Sequence, residues 1–174
     1  MTNKIFSALF LLLTAFVFNS CKKDKVGYGN IYVKLTDSPA TYQKVNVNIV
    51  QVSVHLVPAS GKAGWIDLPT KSGVYDLLQL QNGVDTTIVA TNQLAAGKIT
   101  EMRLLLGSNN SIMADSVVYP LTVPSGTQTG IKLPGPINVT ANTTVQVRLD
   151  FVASQSVVVS GSGTYQLKPV IQVL

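Results

Sequence analysis

The sequence predicts an all-β domain, a single β-sandwich of about 8–10 short, mainly antiparallel strands behind an N-terminal signal helix. Three observations carry that expectation. Val, Ile, Thr and Tyr recur in short runs, the residue types that suit a pleated, half-buried surface. Within those runs apolar and polar residues alternate, the period of a strand with one face buried. Between them stand Gly, Pro, Asn and Ser, and no segment beyond residue 20 sustains the pattern of a long helix.

The first element is the signal, residues 1–20. Lys4 precedes Ile5–Phe18, apolar apart from Ser7 and Thr14, and then come Asn19, Ser20 and Cys21, the only cysteine. A positive start, a short apolar stretch and a small residue before the cut describe an export signal. As a helix this stretch is about 21 Å long against roughly 30 Å of hydrocarbon, short for a membrane span. A cysteine right after the cut is the residue lipidated in bacterial lipoproteins, so Cys21 is the expected lipidation site and the membrane the expected partner. A plain secretory signal is the alternative, and Asn19 departs from the small or apolar residue usual there. Two or more acyl chains would anchor firmly, at about 0.8 kcal/mol per buried CH₂.

Residues 21–28 read as the lipidated cysteine and a flexible tether, with Lys22, Lys23, Asp24 and Lys25 too polar to pack. Ser20-Cys21-Lys22-Lys23-Asp24 is similar to lipoprotein starts of Bacteroidota. The expected location is the outer membrane of a bacterial envelope, on its periplasmic face or at the cell surface.

Residues 29–174 suffice for one domain that needs no covalent staple, and with Cys21 lipidated no disulfide can form. From Gly29 onward nine Lys/Arg stand against seven Asp/Glu, scattered along the chain. With no basic stripe or basic helix, no nucleic-acid partner is expected.

Ile31, Val33 and Leu35 alternate with Tyr32, Lys34 and Thr36 in the first strand. Val45, Val47 and Ile49 open the next, and the phase then flips to Val50, Val52, Val54 and Leu56. One extra residue near Ile49–Val50, a β-bulge, would produce that flip; a strand passing from one sheet to the other is the alternative. Gly61–Gly64 turns into Trp65–Leu68. Tyr75-Asp76-Leu77-Leu78 closes either a short helical turn or a strand edge. Thr86–Ala90 is a short strand, and Leu94–Gly97 a tight connection into Lys98–Leu106. Ala114-Asp115-Ser116 reads as a hairpin turn between Ser111–Met113 and Val117–Leu121. Ile131–Leu133, Ile137–Thr140, Thr144–Phe151 and Ser156–Ser160 follow. Thr164–Leu174 is the final strand, with Pro169 at an edge or bulge. The architecture expected is immunoglobulin- or transthyretin-like.

Chemistry-bearing residues are sparse. His55, the only histidine, falls on the polar phase of its strand with no nucleophile or orienting acid signalled nearby. One histidine and one lipidated cysteine exclude a zinc cluster. No D-x-D-x-D-G loop, P-loop or nucleophile elbow occurs. The reading is a non-catalytic protein with no cofactor and no metal. Asp37, before Ser38-Pro39, reads as a turn former bonding the backbone two residues on. Tyr32 and Tyr42 flank it, making that loop the best candidate ligand surface. Trp65 joins the candidates as a sugar platform, although core is the plainer expectation for it. Asp85-Thr86-Thr87 and Asp115-Ser116-Val117 are similar to O-glycosylation acceptors of exported Bacteroidota proteins, which makes Thr86 and Ser116 candidate sites.

The run Ile31-Tyr32-Val33-Lys34-Leu35-Thr36-Asp37-Ser38-Pro39-Ala40 resembles the opening of a Bacteroidota lipoprotein family known as domain of unknown function 4382. Gly64-Trp65, Tyr75-Asp76-Leu77-Leu78 with Asn82-Gly83, Leu94-Ala95-Ala96-Gly97, Leu149-Asp150-Phe151 and Lys168-Pro169-Val170 continue the resemblance. It implies an exported β-sandwich without an established activity. The family often has a second acid after Leu-Asp-Phe, where this chain has Val152. The function expected is a lipid-anchored module binding a glycan or protein of the envelope. The alternative is a subunit of a fimbria-like surface assembly, and an enzyme is a third.

Overall fold

The computed structural model describes residues 26–124 and 130–174. The signal, Cys21 and most of the tether lie outside the described residues. The rest is a two-sheet sandwich, as the alternating pattern predicts.

The smaller sheet runs β13 (Ile171–Val173), β10 (Thr144–Phe151), β1 (Tyr28–Thr36), β5 (Thr86–Ala95). β1 and β10 pair in parallel, from Asn30 opposite Thr144 to Thr36 opposite Asp150. The other ladders between the described strands are antiparallel.

The larger sheet is built on β2 (Lys44–Pro58). Along one side of it lie β6 (Gly97–Leu106) and β7 (Ser111–Ala114), which continue to β9 (Ile131–Val139) and β8 (Val117–Pro120). Along the other lie β3 (Gly64–Leu68) and β4 (Gly73–Asp76). β11 (Val157–Val159) and β12 (Tyr165–Leu167) form a separate hairpin.

The phase flip in β2 is a bulge. Ile49 stands opposite Leu106 and Gln51 opposite Leu105, so Val50 is the extra residue. Val45, Val47 and Ile49 before it, and Val52, Val54 and Leu56 after it, all reach the core, while Val50 is exposed. Ile31, Val33 and Leu35 of β1, Val147, Leu149 and Phe151 of β10, and Met102 and Leu104 of β6 complete one continuous apolar cluster. The turn at Asp115-Ser116 has φ of 50° and 63°, the left-handed pair that joins twisted strands in two residues.

Several expectations are corrected. Among the described residues thirteen strands form rather than about eight to ten, because short strands of three to five residues carry little periodicity. Thr164–Leu174 is two strands, not one. Pro169 has no N–H to donate, and its neighbours bond elsewhere: the Lys168 N–H donates to the Ser156 carbonyl (2.8 Å) and the Val170 N–H to Ser156 Oγ (2.9 Å). β12 and β13 therefore join different sheets. Residues 153–156 form a helical turn ahead of β11, where a strand was expected from Ser156. Two expected strands merge into β9, which keeps Pro134 and Pro136 because it pairs only with β6. The ambiguous Leu77–Leu80 is a 3₁₀ turn, its first turn capped by Asp76 Oδ1 accepting from the Leu78 N–H at 3.3 Å.

Candidate functional site

The residues expected to form one ligand surface do not come together. Tyr32 stands on the outer face of the smaller sheet, opposite Gln146 and Ala90. Tyr42 is half-buried against the core. Asp37 is only 4% exposed and is not a local turn former. Its Oδ1 accepts from the Ala153 N–H at 2.8 Å and its Oδ2 from Gln81 Nε2 at 2.9 Å. Burial raises its pKa above the ordinary 3.8, and the negative charges of Asp150 and Asp76 act in the same direction. The bonds from Gln81 and Ala153 oppose the rise. Asp150 is buried beside this end of β1. Its Oδ2 accepts from Ser38 Oγ at 2.6 Å, while its Oδ1 has no partner. These carboxylates bind the end of β1 to the chain after β10 and present nothing to solvent.

Trp65 is the opposite case. The core expectation for it is corrected: it is 40% exposed. The reason lies in register. Trp65 on β3 pairs with His55 on β2, and His55 pairs with Glu101 on β6; one step along, Asp67, Ser53 and Arg103 form the parallel row. Both rows stand on the outer face of the larger sheet, since Val52, Val54 and Leu56 take the inner one.

Side chains of these rows interact with one another on the outer face. The Arg103 guanidinium lies 3.7 Å from the Trp65 ring centroid, a cation–π contact. Its Nε is 3.4 Å from Glu101 Oε1. The His55 ring centre is 5.4 Å from that of Trp65, and its Nδ1 is 2.8 Å from Thr100 Oγ1. Ser53 Oγ donates to Asp67 Oδ1 at 2.6 Å. Around the β3 edge, Trp65 also borders an open groove of about 340 Å³ lined by Leu56, Pro58, Lys62, Ile66 and Ala95. An exposed indole beside a half-buried imidazole and guanidinium can stack on a flat apolar face and donate to hydroxyl or carboxylate oxygens.

Sequence reading found Trp65 and the outward phase of His55 but missed Arg103. The signal was present: Arg103 sits on the polar phase between Met102 and Leu104. What local sequence lacks is the register that sets it beside Trp65 across two strands.

Of the two glycosylation candidates, Ser116 is exposed at the hairpin tip, its N–H donating to Gln43 Oε1 at 2.7 Å. Thr86 is half-buried opposite core Leu35. Among the described residues no group of three or more His, Cys, Asp and Glu could hold a metal ion, and no helix is long and apolar enough to cross a membrane.

The class these features define is a two-sheet β-sandwich domain carrying an outward aromatic–cation cluster. The chain belongs to the family described as Domain of unknown function (DUF4382), which it matches over residues 28–169. That is the domain family the run from Ile31 to Ala40 resembles. No curated protein and no solved structure matches the chain.

Proposed function

We propose that this protein is a non-catalytic, lipid-anchored module of the bacterial envelope, held in the outer membrane through Cys21, that binds a glycan. An envelope protein is the second ligand class. The observation that carries the binding role is the Trp65–Arg103–His55 cluster on an uncovered sheet. Its guanidinium and indole suit a polyhydroxylated or carboxylated sugar better than an apolar ligand. The anchor rests on the sequence from Lys4 to Cys21.

The test is a glycan panel probed with wild-type protein, Trp65→Ala and Arg103→Ala. Wild-type protein is expected to retain a defined set of glycans that both variants lose, with circular dichroism unchanged. Retention by neither the wild type nor the variants removes the glycan reading. Protease treatment of intact cells locates the domain: loss puts it at the surface, survival on the periplasmic face.

One observation favours the assembly-subunit reading. β8 is an edge strand whose residues, Val117 to Pro120, are all exposed, and Val117, Val118 and Tyr119 carry no charge. Unguarded edges of this kind pair with other strands. Val118→Lys is expected to abolish any self-association of the purified protein. A wild-type protein that stays monomeric at high concentration removes this reading.

A further inference from the structure

The two ends of the sandwich differ in charge, and the tether leaves from only one of them. Val26 and Gly27 lie at the end where β2 finishes and β6 begins. The Ala96 N–H donates to the Gly27 carbonyl and the Ala59 N–H to the Ala96 carbonyl, at 2.8 and 2.9 Å. The Asn142 N–H donates to the Tyr28 carbonyl at 2.9 Å. This end thus consists of the chain at 57–64, 95–98 and 138–143. Those stretches hold two charged residues, Lys62 and Lys98, both exposed, and no acid. The opposite end mixes both signs: Asp85 pairs with Lys34 and Arg148, Asp76 with Lys44, and Asp37 and Asp150 are buried.

Length adds a second constraint. From Val26 back to Cys21 is five residues, at most about 18 Å of extended chain. That stretch adds Lys22, Lys23 and Lys25 against Asp24. A lipid on Cys21 would hold the basic end within one short tether of the headgroups, while the end of mixed charge points away.

We infer that the tether end, through Lys62 and Lys98, docks on the anionic lipid headgroups of the membrane that holds Cys21. The domain then stands upright with the Trp65 groove near the lipid surface. This rests on the lipid anchor proposed above. Each lysine close to an anionic surface strengthens binding about fivefold, and short-range screening makes the contact salt-sensitive.

Trp65 is the only tryptophan and lines the same groove as Lys62, so it reports on docking. The full lipidated protein is placed in vesicles of phosphatidylcholine, with or without a quarter phosphatidylglycerol, each containing headgroup-nitroxide lipid. Flotation measures anchoring and Trp65 quenching measures docking. Docking predicts clearly stronger quenching in the anionic vesicles. That gain should vanish in high salt and in Lys62→Gln/Lys98→Gln, both of which still float. Equal quenching in the two lipids, or a gain that survives the double substitution, overturns docking while leaving the anchor intact. Failure to float with either vesicle overturns the anchor, and docking with it.

Discussion

The Ala153 N–H donates to Asp37 Oδ1 at 2.8 Å, joining residues 116 apart in the chain. The parallel β1–β10 pair makes this contact: it ends with Thr36 opposite Asp150, so Asp37 arrives beside the turn that follows β10. A buried carboxylate therefore fastens the only parallel ladder between the described strands at its C-terminal end.

The raised pKa of Asp37 gives a pH dependence of definite sign. Its carboxyl holds a proton more tightly when folded, so folding takes up a proton above 3.8. Stability from this group is fullest below 3.8 and is lost as pH rises through the folded value. Asp37→Asn cannot ionise. In urea unfolding at a series of pH values, the wild-type stability minus that of the variant should fall as pH rises from about 3.8. A difference that grows instead would show that the bonds from Gln81 and Ala153 outweigh burial.

Ser38 is the one hydrogen-bond partner of the Asp150 carboxylate among the described residues. Ser38→Ala strands a buried carboxylate and should cost about 1–3 kcal/mol, seen as a lower urea midpoint at unchanged slope. Ser38→Thr keeps the hydroxyl and should restore most of the loss. Equal losses in both variants would mean that the 2.6 Å bond contributes little.

Gly97 allows β6 to begin directly against the end of β2. A Cβ there would collide with the Val57 carbonyl oxygen and come within 2.6 Å of Pro58 Cα. Both are backbone atoms that cannot rotate away. Gly97→Ala should therefore destabilise by at least about 1–3 kcal/mol, whereas Gly64→Ala, with open space around it, should cost far less. Thermal unfolding of the pair checks this.

Much of the fold was legible because its signals are local. The period-2 runs of β1, β2 and β6 marked both the strands and their buried faces. The two-phase pattern marked a break near Ile49–Val50, which the register shows to be a bulge at Val50 with its side chain outward rather than on the apolar phase, and Asp115-Ser116 marked a turn. The misreadings share one cause, which is that pairing partners are not written in local pattern. Thr164–Leu174 looks like one strand until the Ser156 carbonyl accepts from the Lys168 N–H and Ser156 Oγ accepts from the Val170 N–H. Asp37 before Ser38-Pro39 looks like a turn former because nothing nearby announces Ala153. Trp65 looks like core because its row-mates, His55 and Arg103, come from two other strands. Of the candidate surface only Trp65 was singled out as a possible ligand contact; His55 was read as merely outward-facing and Arg103 was not singled out.

Location and docking both depend on the anchor proposed at Cys21. It is tested by comparing wild-type protein with Cys21→Ala in carbonate-washed membranes, with metabolic fatty-acid labelling. A labelled wild-type protein that stays in the membrane fraction and an unlabelled variant that leaves it are expected. A variant that remains in the washed membranes, or an unlabelled wild type, would contradict the anchor.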